Sequence, residues 1–198
     1  TAVAAESKHP TLPTRWKATV NEDGVGIVFE SYKMVDRPTP ANPSAKWTNF
    51  TDGSCQRLIF DPDLPLDSRY LLGCDALDCC IEGQSGNHVE YQIPNVHPAA
   101  LAPVKHLGQE TINQMEGSKA NKVTCDVWSW SFGPETLFAF TSKSPKTNET
   151  VLNRWIANIE GMNYTNDYFG YAAPTKNEIA AFDAQFNVPS ICNNAMSC

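Results

Sequence analysis

Three of the chain's seven cysteines fall within CDALDCC, residues 74 to 80, and Cys79 and Cys80 are adjacent. Thiols this close can serve as a metal cage, a redox centre or a set of disulfide anchors. A structural zinc site needs four ligands, commonly two Cys-x2-Cys pairs. Cys74, Cys79 and Cys80 are instead separated by four and zero residues, and the nearest histidine is His88. No Cys-x-x-Cys redox motif occurs, so disulfide anchoring is the better reading. If residues 78–82 are extended, Cys79 and Cys80 point to opposite faces and must bridge to two different segments. With Cys55, Cys125, Cys192 and Cys198 added, three intrachain bridges leave one thiol over. That odd cysteine is a free thiol, an interchain bridge or the anchor of a covalently held ligand, and an interchain bridge in a homodimer is the expectation.

Other residues capable of chemistry are sparse. Asp61, Asp63 and Asp67 in DPDLPLD set three carboxylates on one loop, which could hold calcium with carbonyls and water. The loop lacks the glycine and distal glutamate of an EF-hand, and a Pro-stiffened solvated turn accounts for it equally well. His9, His88, His97 and His106 are scattered, and GSCQ around Cys55 does not continue as a papain-type nucleophile would. No Gly-x-Ser-x-Gly, His-Glu-x-x-His or Gly-rich phosphate loop is present. The expectation is a non-enzymatic protein. Its aromatics are more suggestive: Trp128, Trp130 and Phe132 alternate along one stretch, and Phe138 and Phe140 along the next. With Tyr91 and Trp155 they are the candidate lining of an apolar groove suited to a fatty acyl chain, sterol or pigment. The bland alternative is a core filled by the same rings, the commoner outcome when aromatics share a buried face.

The 198 residues are 41% hydrophobic, enough for one domain with a core. We divide them into a tail, 1–13, and a single disulfide-stapled domain, 14–198. Fifteen Lys and Arg against 22 Asp and Glu give a net charge of −7, which disfavours nucleic acid and anionic lipid surfaces. No apolar run approaches the ~20 residues of a transmembrane helix. The chain opens without Met or an apolar leader, as a mature secreted chain would. Sequons at Asn49, Asn148 and Asn163, beside seven cysteines, favour the extracellular space or the lumen of the secretory or vacuolar system.

Most elements that must position these residues read as strands. HVEYQI alternates, and KVTCDVWSWSF sets Val123, Cys125 and Val127 against Trp128, Trp130 and Phe132. Gly133-Pro134 then turns the chain into ETLFAFTS, a hairpin over 122–142. RWKATV, GIVFESYK, KWTNFT, CQRLIF and RYLLG read as further strands. ETVLNRWIANIE fits either a helix or a strand. TKNEIAAFDAQF reads as a short helix, with Thr175 and Glu178 as a capping box, and HPAALAPVKHL as a Pro-interrupted loop. The total is an all-β domain of roughly eight to eleven strands with one or two short helices.

LPTRWKA, GQETIN before CDVWSW, and the tail DYFGYAAPTKNEIAAFDAQFNVPSIC resemble ependymin-related proteins. They are also similar to the domain upstream of some protist papain-family peptidases. The resemblance spans nearly all of residues 14–192. Its strongest pieces are Cys125 with Trp128 three on, and Phe186-x-x-Pro189-x-x-Cys192. It implies a strongly curved antiparallel sheet folded as a half-barrel or sandwich, as in the bacterial lipoprotein carrier LolA, with an apolar groove and often a dimer. It also implies that 151–160 is a strand. CDALDCC and the long QIPNVHPAALAPVKHLGQ connection depart from the animal members. The expected function is binding of a hydrophobic ligand; the alternative is a peptidase-associated or extracellular-matrix interaction domain with no small-molecule ligand.

Overall fold

A computed structural model describes residues 10, 12–35, 39, 42–51, 55–60, 69–73, 78–82, 104–116, 119–132, 135–159 and 161–197. Within them, alternating side chains produce twelve strands: β1 (Arg15–Glu22), β2 (Gly26–Lys33), β3 (Ala45–Phe50), β4 (Gln56–Phe60), β5 (Arg69–Leu72), β6 (Cys79–Glu82), β7 (Lys105–Glu116), β8 (Lys119–Phe132), β9 (Glu135–Lys143), β10 (Thr150–Ile159), β11 (Met162–Ala172) and β12 (Met196–Ser197). They form one sheet in the order β12-β6-β5-β4-β3-β2-β1-β11-β10-β9-β8-β7. The order is two meanders, β1 to β6 and β7 to β11, joined where β1 pairs antiparallel with β11. Only the short β12 runs parallel to its neighbour. The fold is therefore all-β and antiparallel, as expected, and ETVLNRWIANIE is a strand.

Strand parity sorts the core onto two faces. The inner face carries Trp16, Ala18 and Val20 of β1, Val28 and Tyr32 of β2, Trp130 of β8, Leu137 and Ala139 of β9, Trp155 and Ala157 of β10 and Tyr168 of β11. Leu12, from the expected tail, is buried in the same cluster. The outer face holds two smaller clusters. Ala45, Leu58 and Phe60 lie beneath Phe186 and Phe182. Ile112, Cys125, Val127 and Phe140 pack together at the other end of the sheet.

The sheet curls strongly enough to bring distant strands together. Over the outer face, the tip of β7 reaches β10 and β11, although β8 and β9 intervene in the sheet. Arg154 donates from Nε and one terminal nitrogen to Asp167, at 2.6 and 2.9 Å, and from that nitrogen to the Asn113 carbonyl at 2.6 Å. Met115 N–H donates to Asp167 at 3.0 Å. Gln114 Nε2 donates to the carbonyls of Asn153, at 2.7 Å, and Tyr168.

The C-terminal segment caps the opposite end. Helix α1 (Ile179–Ala184) begins later than the sequence predicts. Glu178 reaches back to the Thr175 N–H and hydroxyl at 2.8 and 2.7 Å, so half of the capping box forms, but Glu178 itself precedes the helix. Arg15 pairs bidentately with Asp183 at 2.6 and 2.7 Å, tying α1 to β1. A 3-10 turn (Ser190–Cys192) follows, and Cys192 is bonded to Cys79.

Two strands exceed the sequence expectation. β7 includes Lys105–Leu107, part of the segment read as a loop, because Lys105 and His106 pair with Ser129 and Trp128 of β8, with a bulge at Leu107. β11 spans the polar stretch MNYTNDYFGYA. HVEYQI and most of HPAALAPVKHL lie outside the described residues.

Candidate functional site

The sulfur chemistry is anchoring. Cys79 bridges Cys192, and Cys55 and Cys80 are disulfide-bonded as well. Neighbours on β6 thus make separate bridges, as their opposite orientation requires. Cys74 and Cys198 lie outside the described residues. Among the described residues the free thiol is Cys125, 1% exposed in the outer-face cluster, with its pKa pushed up to about 11 chiefly by burial. A buried thiol such as Cys125 presents no sulfur to a second chain, or to a covalent ligand arriving from solvent.

The proposed aromatic wall divides in two. Trp130 is buried on the inner face, edge-to-face with Trp155 at 5.2 Å, and Trp128 packs beside that cluster with its indole donating to Thr141 Oγ1 at 2.9 Å. Phe138 and Phe140 belong to the outer face, with Cys125 and Val127. The register explains the split: Trp130 stands opposite Leu137, while Ser129 and Val127 stand opposite Phe138 and Phe140. Trp128 and Trp130 therefore do not line one groove with Phe138 and Phe140. The Phe132 side chain and Tyr91 lie outside the described residues, as do Asp61, Asp63 and Asp67; among the described residues no three His, Cys, Asp or Glu side chains cluster for a metal.

Trp155 instead meets residues that the aromatic pattern did not single out. On the inner face, Arg57 of β4 and Trp155 of β10 line one cavity of about 250 Å³, although four strands separate them in the sheet. Glu22 and Asp23 join them from the end of β1, and Tyr164 and Asn166 from β11. Gly24 and Gly26 adopt positive φ, 77° and 103°, which lets the β1–β2 connection turn tightly at the cavity mouth. Asn166 Oδ1 accepts from Asp23 N–H at 3.3 Å and so fixes the turn to β11. Two apolar residues stand exposed at the rim, Val25 at 47% and Tyr164 at 40%.

Two residues of the lining carry buried donors without acceptors among the described residues. Trp155 is 3% exposed, and its indole N–H makes no hydrogen bond among the described residues. The same holds for Arg57 Nε, whose guanidinium lies over the Phe50 ring at 5.3 Å. A buried donor left unmade costs about 1–3 kcal/mol.

A buried polar stripe continues from it. Arg57, Thr48 and Glu30 are register partners across β4, β3 and β2. Glu30 accepts from Lys46 Nζ at 2.6 Å, from Thr48 Oγ1 at 3.2 Å and from the Tyr32 hydroxyl. Tyr32 is stacked on Trp16 at 4.0 Å, and burial, then the Glu30 charge, push its phenol well above its ordinary pKa.

A larger hollow of about 580 Å³ lies across the β1–β2 turn, on the outer side, beside Arg154, Asp167 and Met115. Its guanidinium is already committed to Asp167 and Asn113, which makes the inner cavity the better binding site. Arg57 and Glu22 were findable by parity, since Trp16, Ala18, Val20 and Glu22 alternate, as do Arg57 and Ile59.

The sequons differ in accessibility. Asn148 is exposed in the β9–β10 connection, at φ 58°, and Asn163 is exposed at the start of β11. Asn49 is half-buried on β3 and accepts from the Trp47 indole at 3.1 Å.

No protein-family model matches the chain, and no curated protein matches it. Among the described residues no helix is long and apolar enough to cross a membrane, and the Cys79–Cys192 bond is the chemistry of an oxidising environment.

Proposed function

We propose that this chain is a non-enzymatic binding domain of the secretory route that takes a hydrophobic small molecule, such as a lipid, fatty acid or pigment, into its curled sheet. The observation that carries the reading is the inner cavity, where buried Trp155 and Ala157 meet exposed Val25 and Tyr164 at a mouth formed by the β1–β2 turn. Concave sites with mostly apolar walls and a few placed polar groups are the usual form of ligand pockets. The resemblance to ependymin-related proteins supports the same reading. A homodimer, also expected from that resemblance, would have to form without a bridge from Cys125.

The test is native mass spectrometry of gently purified protein, with lipid and pigment extraction and exchange against a fluorescent fatty acid. A copurifying small molecule or saturable exchange is expected; neither appearing would remove the reading. One observation favours the interaction-domain alternative: Trp16, Val20, Leu137 and Ala139 fill much of the inner face with the chain's own side chains.

A further inference from the structure

The inner cavity opens at the end of the sheet where exposed apolar side chains collect. Nine large apolar side chains are exposed among the described residues, and four of them, Val25, Met115, Met162 and Tyr164, gather at this end. Val25 lines the inner cavity together with Tyr164, and the outer hollow together with Met115. Met162 stands two residues before Tyr164 on β11 and, by strand parity, on the same face, while Asn163 points to the other. The backbone beneath them is held. Val25 N–H donates to the Glu22 carbonyl at 3.1 Å, which fixes the β1–β2 turn, and Asn21 Nδ2 donates to the Met115 carbonyl at 3.4 Å, which sets the tip of β7 against β1.

Exposed apolar side chains gathered at one place mark a surface that another molecule covers. The charges at this end decide which. Asp23 and Glu116 are exposed there, and residues 21–26 and 161–166 contain no Lys or Arg. Lys119, the register partner of Glu116, offsets that acid. With a net charge of −7 the chain repels anionic headgroups. Tyr164 brings a ring with a polar tip, the kind of side chain that sits at headgroup level. Resting on the binding-domain reading above, in which the ligand is poorly soluble in water, we propose that this end is a lip that seats on a neutral lipid surface of phosphatidylcholine chemistry. A hydrophobic molecule then passes between bilayer and cavity without crossing water. A protein partner seated on the same four side chains would close the mouth instead of feeding it.

Stopped-flow transfer of a fluorescent fatty acid from the loaded, disulfide-intact chain to phosphatidylcholine vesicles tests this. The rate is expected to rise in proportion to vesicle concentration, as transfer by collision requires, and to fall when about a quarter of the lipid is phosphatidylglycerol. Met115 and Met162, 37% and 56% exposed, lie outside the inner cavity's lining. Met115→Ser combined with Met162→Ser should therefore slow transfer about tenfold and leave the equilibrium affinity for the fatty acid unchanged. A rate independent of vesicle concentration, or one that the double variant leaves unchanged, would overturn the lip while leaving the binding domain standing. So would self-association in analytical ultracentrifugation that the double variant abolishes and vesicles do not compete, which would make this end an interface between copies. A chain that neither loads the fatty acid nor floats with phosphatidylcholine vesicles would overturn both.

Discussion

Glu30 sits at 1% exposure inside the sheet because three donors converge on its carboxylate: Lys46, Thr48 and Tyr32. Removing one partner of such a pair leaves a buried charge uncompensated, which costs about 3–5 kcal/mol, whereas removing both is far milder. Lys46→Met alone should therefore lower unfolding stability by that amount, and adding Glu30→Gln should restore much of it; urea denaturation of the two variants measures this. Equal losses in both would show that the pair is not coupled. Accessibility makes a second prediction at this scale. In secretory expression, glycopeptide mapping should find Asn148 and Asn163 occupied and Asn49 bare, since the Asn49 amide is half-buried and held by Trp47. Full occupancy at Asn49 would contradict its placement on β3.

The C-terminal segment is an element fixed at two points, the Arg15–Asp183 ion pair and the Cys79–Cys192 bond. The bond closes a loop 113 residues apart in sequence, and removal of a native disulfide typically costs about 2–5 kcal/mol. Cys79→Ala with Cys192→Ala should show a loss in that range by denaturant titration, together with faster amide exchange in α1. An unchanged midpoint would mean that Phe182, Phe186 and the Arg15–Asp183 pair hold the segment without the bond. Elements were legible where alternation was strong. β1 to β5 and the β8–β9 hairpin follow directly from their apolar parity. β7 was partly obscured by the prolines before it and by its mostly polar exposed residues, and β11 by its polar start. In the site, Trp155 was legible as an inward aromatic. The pairing of Trp155 with Arg57 was not, because it depends on how far the sheet curls, which strand parity does not encode.

For the molecule as a whole, buried acids of high pKa set an alkaline limit. Cys125 is raised from 9.0 to about 11, chiefly by burial, and Tyr32, Tyr168 and Tyr171 are raised above 10.0 for the same leading reason. Below about pH 9 the native and unfolded forms both keep these protons. Between pH 9 and 11 the unfolded chain releases the thiol proton and begins to release the phenolic ones while the native state retains them. Stability should therefore fall as pH rises through this window. Thermal melts across it, followed by phenolate absorbance, should show late tyrosine ionisation coinciding with unfolding; early ionisation of all tyrosines would contradict the burial. The joining of the two meanders carries a different consequence, for biosynthesis. Thr19 pairs with Phe169, so the backbone of β1 emerges from the ribosome long before its partner is made. At 5–20 residues per second that wait is on the order of ten seconds. During it, the nascent amino-terminal half carries an unzipped border that stays open until the last long strand arrives.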